Sequence, residues 1–136
     1  MKPELLVRTF IEEVFNHGKL STIDDIIHSN YKFSSTDSEL NGKGELRKFI
    51  QSFRSAFPDI NLCIDDIFTS GVKTCTSFTF TGTHEGDFMG IPATNQTVKV
   101  QGVVISTIQD NKIIEEREIL DNLSFFQQLG LVSNFE

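Results

Sequence analysis

The hydrophobic period of this chain changes once, near Pro58, and that change constrains the fold more than any other feature of the sequence. Before it, four apolar residues between Leu46 and Phe53 recur at i, i+3, i+4 and i+7, which is the period of an amphipathic helix. From Ile60 onward the apolar residues tend to alternate with polar ones, in segments rich in Val, Ile, Thr and Phe. The sequence therefore predicts an α+β fold in which helices come first and a sheet follows.

Two further helices and a short strand are predicted before the helix that contains Leu46. Residues 3–15 carry an apolar stripe behind Pro3, and Ser21 with Asp24 resembles a capping box that opens a second helix. Residues 31–34 predict a short strand. At the other end of the chain, residues 122–131 predict a closing helix that Gly130 would stop.

The second part of the chain predicts four strands joined largely by tight turns. These strands cover residues 60–68, 73–83, 97–108 and 112–120, and Ser70-Gly71 and Asp110-Asn111 supply hairpin turns. Hairpins impose antiparallel pairing. Such a sheet must curl around the helices to bury their Phe-rich faces, and the cone that results has a hollow at its open end that suits a binding site. We expect one domain over residues 1–136.

Composition limits the classes of partner. The formal net charge is −7, and the 12 Lys and Arg are scattered along the chain, which argues against nucleic acid as a partner. No apolar run approaches the roughly 20 residues that a bilayer crossing needs, and the N-terminus turns acidic too early for a secretory signal. We therefore expect a cytoplasmic protein that does not bind membranes.

Only Cys63 and Cys75 are present. If Ser70-Gly71 forms a two-residue hairpin turn, Cys63 lies opposite Phe78 and the two thiols face opposite sides of the sheet. This register argues against a disulfide, and no zinc-like spacing is present. Both cysteines are predicted to be small packing residues.

A Gly-punctuated apolar loop interrupts the strands at residues 82–92. Three glycines and a proline fix its turns, whereas Phe88, Met89 and Ile91 are too apolar for an ordinary exposed loop. The loop also carries His84. It is predicted to fold back over an enclosed neighbour and to form one wall of a small-molecule pocket.

Three motifs carry a resemblance to a known family. They are the loop at residues 82–92 (Gly-Thr-His-Glu-Gly-Asp-Phe-Met-Gly-Ile-Pro), the preceding Ala-Phe-Pro-Asp at residues 56–59, and Asp121 ahead of Gln-Leu-Gly at residues 128–130. In this order and spacing they resemble the SnoaL-like polyketide cyclases, also called ester cyclases. The similarity covers nearly the whole chain.

The resemblance implies a fold, an assembly and a chemistry. The fold is the cone shared with nuclear transport factor two and ketosteroid isomerase, usually as a homodimer packed through the sheets. The activity is ring closure in a polyketide ester by intramolecular aldol condensation, with a pocket Asp as general acid/base and no metal or organic cofactor. Asp121 matches that Asp. His84 would donate a hydrogen bond to the substrate oxygen, and Gln101 would orient substrate oxygens.

Further residues are expected to bind the small apolar substrate. Tyr31, Phe33, Phe53, Phe88 and Met89 are predicted to line the pocket. Family members commonly carry Trp near the position of Arg117, and this chain has no Trp. If Arg117 points inward, it makes the pocket more polar and suits an anionic ligand.

Structural alternatives exist for the two catalytic assignments. Asp121 precedes a predicted helix and would also serve as its N-cap, while His84 could simply pin its loop to a backbone carbonyl. The acidic run at residues 115–118 is predicted to be a solvated strand face, because alternation separates neighbouring carboxylates. Two other functions fit the same fold, a non-enzymatic module that binds a hydrophobic ligand and an isomerase or dehydratase.

Overall fold

The computed structural model describes residues 1–132, and its elements follow the predicted order with one additional short strand, at Glu39–Asn41. The helices are α1 (Pro3–Thr9), which continues in π-helical geometry over Phe10–Asn16, α2 (Ile23–Ile26), which follows a 3₁₀ turn at Leu20–Thr22, α3 (Gly42–Ala56) and α4 (Asn122–Gln128). The strands are β1 (Ile27–Ser34), β2 (Glu39–Asn41), β3 (Asn61–Ser70), β4 (Lys73–Thr83), β5 (Thr97–Gln109) and β6 (Lys112–Leu120).

The helical stripes pack as their period predicts. Leu6, Val7 and Val14 of the first helix and Leu46 and Ile50 of α3 are buried in one core cluster. The capping box predicted at residues 21–24 does not form, because neither the 3₁₀ turn nor α2 has a side-chain cap. The adjacent Thr22 hydroxyl donates instead to the Glu13 carboxylate at 3.1 Å, which ties this segment to the first helix.

All six strands belong to one sheet of order β2-β1-β6-β5-β4-β3. The four long strands pair antiparallel with their sequence neighbours, as their turns predict. The sheet is nevertheless mixed, because β1 pairs parallel to β6. That pairing corrects the expectation of a purely antiparallel sheet. No hairpin joins β1 to β6, so turn chemistry carried no information about their direction.

The register of the β3–β4 hairpin differs from the predicted one. Ser70 pairs with Lys73, so the turn is Gly71-Val72, and a bulge lies between Ile64 and Asp66. Cys63 consequently faces Thr79, and Cys75 faces Phe68. Both thiols lie on the outer face of the sheet, which corrects the prediction of opposite faces. They remain free, because four residues of strand separate their pairing positions by roughly 13 Å.

The turn at Asp110-Asn111 has the predicted position. Both residues have positive φ, 54° and 61°, as a type I′ hairpin requires, and Gln109 pairs with Lys112. No helix within residues 1–132 combines the length and hydrophobicity that crossing a bilayer requires.

Candidate functional site

A cavity of about 70 Å³ lies between the helices and the concave face of the sheet. Its polar groups are the phenol of Tyr31 and the carboxyl groups of Glu116 and Glu118. The remaining wall is apolar and largely aromatic, and includes Phe10, Phe15, Phe33, Phe49, Phe53, Phe78 and Phe80. The cavity therefore combines a large hydrophobic surface with a small number of convergent polar groups, as small-molecule sites do.

Glu116 lies at the centre of a buried hydrogen-bond network. The Tyr31 hydroxyl donates to Glu116 Oε1 at 2.9 Å, and the Ser106 hydroxyl donates to Oε2 at 2.7 Å. Only 4% of Glu116 is exposed. Burial raises the pKa of Glu116, while the two donated hydrogen bonds act in the opposite direction. Burial, together with the charge of Glu116, also raises the pKa of Tyr31, which keeps it a phenol that can donate.

Glu118 presents the second carboxyl group of the cavity. It lies two residues beyond Glu116 on β6, so both side chains point to the concave face. Among the described residues, none donates a hydrogen bond to the Glu118 carboxyl group or forms an ion pair with it. Burial raises the pKa of Glu118 to about 7, and the neighbouring charge of Glu116 contributes to that rise. A carboxyl group of this kind can both accept and donate a proton near neutral pH.

A second hollow of about 390 Å³ opens next to the cavity. Phe49 and Phe53 line both spaces, so their rings stand between them. The hollow also has Asp37, Glu39 and Ser52 on its walls. We call it the vestibule.

The predicted aromatic pocket residues divide between these two spaces. Tyr31, Phe33 and Phe53 line the cavity, whereas Phe88 and Met89 line the vestibule together with Phe53. Phe88 is 6% exposed and packs its ring against Phe53 and Phe57. Met89 is 72% exposed, so the expectation that it needs an enclosed neighbour is wrong. The tight turn explains the difference, because Phe88 and Ile91 bond to each other and Met89 projects from the tip with φ 50°.

His84 is fully buried and pins the base of the loop. Its backbone N–H donates to the Gln96 carbonyl at 2.9 Å, and its ring stacks on Phe57 with centroids 5.3 Å apart. The Thr94 backbone N–H donates to His84 Nδ1 at 3.2 Å, which places the ring hydrogen of a neutral imidazole on Nε2. Within residues 1–132, Nε2 has no hydrogen-bond partner. His84 is not among the residues that line the cavity.

Asp121 caps α4. Its carboxylate accepts a hydrogen bond from the Ser124 backbone N–H at 3.2 Å, and its side chain is exposed. It is not among the residues that line the cavity. The structure therefore brings neither His84 nor Asp121 to the cavity, and their catalytic roles stay predictions.

Replacing Asp121 separates capping from catalysis. Asp121→Ala is expected to lower the free energy of unfolding by about 1 kcal/mol, because it removes the cap that holds α4 and its buried Phe125. Asp121→Asn is expected to keep wild-type stability, since Asn caps a helix as well as Asp does. Urea denaturation followed by circular dichroism measures both. A fully stable but inactive Asn variant would support the acid/base role predicted from the sequence.

Gln101 and Arg117 lie on the outer face of the sheet. Val100 and Gly102 point inward on β5, so Gln101 between them points outward and is exposed. Arg117 is likewise exposed between the inward-facing Glu116 and Glu118. Strand alternation thus directs both side chains away from the cavity that they were predicted to line.

The sequence predicted that the acidic run at residues 115–118 is a solvated strand face, but two of its carboxyl groups, Glu116 and Glu118, line the cavity. Alternation does separate neighbouring carboxylates, but it places residues two apart, such as Glu116 and Glu118, on one side. One feature of the sequence indicated that this face points inward: Leu120, two residues beyond Glu118, is apolar and lines the same cavity. A bulge obscured this signal. Thr107 of β5 pairs with Glu115 and Ile108 pairs with Ile113, and this irregularity shifts the inward and outward alternation of β6.

Comparison with known proteins gives one consistent family. The model of the SnoaL-like polyketide cyclases matches residues 5–129. The aklanonic acid methyl ester cyclase DnrD of Streptomyces peucetius is 26% identical over 129 residues, covering 92% of this chain and 88% of that protein.

Solved structures agree with this assignment. TsrD from Streptomyces laurentii is 26% identical with a TM-score of 0.85, and the match covers 94% of each chain. A SnoaL-like polyketide cyclase from Agrobacterium tumefaciens shares the fold at 16% identity, with a TM-score of 0.80 and coverage of 96% of this chain and 99% of that one. This chain belongs to the SnoaL-like polyketide cyclase family.

Proposed function

We propose that this protein closes a ring in a small apolar carbonyl compound by acid/base chemistry, with Glu118 as the catalytic residue. The observation that carries the proposal is the Glu118 carboxyl group, which faces an aromatic cavity without a partner in the described chain and has a pKa raised to about 7. The name of the relative DnrD supports a methyl ester as the type of substrate.

The proposed step uses one proton and one carboxyl group. The Glu118 carboxylate removes a proton from the carbon next to a carbonyl group, and the resulting enolate carbon forms a bond to a second carbonyl carbon of the same molecule. The alkoxide produced there takes the proton back from Glu118. A pKa near the working pH suits both transfers. The proposed step itself requires no group beyond the carboxyl.

Glu116 and Tyr31 have supporting roles in this scheme. The hydrogen bonds from Tyr31 and Ser106 hold the Glu116 carboxyl group in place beside Glu118. The aromatic wall excludes water from the enolate, and a ligand would enter from the vestibule past Phe49 and Phe53.

The test is a proton-exchange and ring-closure assay. A panel of aryl keto esters that includes aklanonic acid methyl ester is incubated with the protein in D₂O, and loss of the α-proton signal is followed by NMR while mass spectrometry detects cyclised product. Protein-dependent exchange and closure of at least one ester are expected. Esters that bind but neither exchange nor close would contradict the proposal and would favour the non-enzymatic binding module.

We also propose a homodimer formed through the outer face of the sheet. Val103 and Ile119 are paired neighbours there, and they are 40% and 71% exposed. Exposed apolar residues grouped on a sheet face are typical of interfaces.

A single charge at this face tests the dimer. Ile119→Glu is expected to convert the protein to a monomer in light scattering coupled to gel filtration, because it buries an unpaired carboxylate in the interface. Leu5→Glu is the matched control, since Leu5 is 50% exposed on α1 and lies off the sheet. A dimer that survives Ile119→Glu would rule out this interface.

A further inference from the structure

The ionisable groups along the route to the cavity are acidic apart from one phenol. Asp37 and Glu39 flank the vestibule, and Glu116 and Glu118 lie inside the cavity. In the described part of the chain, no Lys, Arg or His lines either space. The net charge of −7 has the same sign. A low-dielectric cleft lined by one sign of charge concentrates ligands of the opposite sign.

Neither the buried Glu116 nor the half-buried Glu118 has a counter-charge among the described residues that line the cavity. Both oxygens of Glu116 accept hydrogen bonds from neutral hydroxyl groups, and within residues 1–132 Glu118 has no partner. Buried charges in proteins are ordinarily paired with an opposite charge. A cation that comes with the ligand would supply the counter-charge that this pair of neighbouring carboxyl groups lacks.

The walls of the cavity suit such a cation. Aromatic rings attract a positively charged nitrogen through their faces, and this attraction grows when water is excluded. Tyr31, Phe33, Phe49 and Phe53 line the same cavity as Glu118. The other Phe residues of the wall offer hydrophobic contact to the rest of the ligand.

We propose that the ligand of this cavity carries a protonated amine on an apolar, aryl-sized body, with the ammonium group held by the surrounding aromatic rings beside the Glu116 and Glu118 carboxyl pair, so that Glu118 can still exchange a proton with the substrate. The inference rests on the proposed function only in taking the cavity as the substrate site. It extends that function by naming the substrate class as a carbonyl compound with a basic nitrogen. It also predicts that ligands with a free carboxylate are rejected.

Three probes of similar size test the proposal by binding alone. They are 2-phenylethylamine, 2-phenylethanol and phenylacetate, which at pH 7 are a cation, a neutral molecule and an anion. Isothermal titration at low salt is expected to give the amine at least a roughly 10-fold lower Kd than the alcohol, and no measurable binding of phenylacetate. Backbone NMR shifts are expected to place the amine at Glu118 and its neighbours.

Variants decide which group recognises the charge. Glu118→Gln is expected to weaken amine binding roughly 10-fold and to leave the alcohol unaffected, whereas Glu115→Gln, on the outer face of the same strand, changes neither. Equal affinity for amine and alcohol, or amine binding that persists in Glu118→Gln, would overturn the proposal. These binding measurements require no turnover, so they test this proposal separately from the proposed function. A protein that is inactive in the exchange assay can still bind the amine, and a protein that is active can still prefer the alcohol.

Discussion

Replacing Glu118 with Gln is expected to lower the rates of α-proton exchange and ring closure roughly 100-fold or more. Gln has nearly the same size as Glu and keeps the cavity filled, but its amide cannot accept the substrate proton and return it. The side chain faces the cavity, and no other described residue hydrogen-bonds to its carboxyl group. Rates are measured by NMR in D₂O at pH 7 on an ester that the wild-type protein converts.

The same substitution is expected to raise stability above pH 7. Burial lifts the pKa of Glu118 from 4.5 to about 7 in the folded protein, so the folded state binds a proton that the unfolded chain has already released. Stability is therefore lost as pH rises through this window. The difference between these two pKa values corresponds to at most about 3–4 kcal/mol of stability, and solvent at the open side of the cavity reduces that figure.

Activity and stability thus change in opposite directions in this variant. At pH 8, the free energy of unfolding of Glu118→Gln, measured by urea denaturation, is expected to exceed that of the wild type by about 1–2 kcal/mol. At pH 4 the two free energies are expected to be equal. Glu115→Gln is the matched control and is expected to change neither property, because Glu115 lies on the opposite face of β6. Activity retained by Glu118→Gln would remove Glu118 from the mechanism.

The fold was predictable where local chemistry determines it. The bounds of β4 and β6 agree with their predicted ranges, and the Asp110-Asn111 turn forms with both residues at positive φ. The β3–β4 register could not be predicted, because the bulge at Asp65 leaves no mark in the alternation of a mostly polar strand end. The parallel pairing of β1 with β6 joins segments some 85 residues apart and depends on the whole packed structure.

The aromatic wall of the site could be predicted from the sequence, whereas its carboxyl groups could not. Periodicity located the aromatic wall, since Phe33 and Phe53 lie on inward faces. It did not locate the carboxyl groups, because a charged residue on a strand is ordinarily solvated. Glu116 accepts one hydrogen bond from Ser106 across the β5–β6 hairpin and one from Tyr31 on β1, 85 residues away, and the partner on β1 becomes visible only once the sheet is assembled.

Replacing Gly86 with Ala is expected to lower the free energy of unfolding by about 3 kcal/mol. A Cβ at Gly86 would lie 2.5 Å from the Ser55 backbone oxygen and 3.3 Å from the Ala56 Cα, and backbone atoms at the end of α3 cannot move aside as a flexible side chain can. The backbone N–H groups of Glu85 and Gly86 both donate to the Ala56 carbonyl, at 3.0 and 3.1 Å. Relieving the clash would therefore break the contact that docks the loop on α3.

The matched control for this prediction is Gly44→Ala, in α3 itself. A Cβ at Gly44 meets no atom within 4 Å, and Ala is preferred over Gly in a helix, so this variant is expected to gain up to about 1 kcal/mol. Urea denaturation gives both values. Because Gly86 lies between the buried His84 and Phe88, a loosened loop would also expose Phe57 and Phe53, the rings that connect the loop to the cavity wall. Equal stability of the two Ala variants would mean that this loop is not held against α3, and the vestibule would then lack the wall that Phe88 supplies.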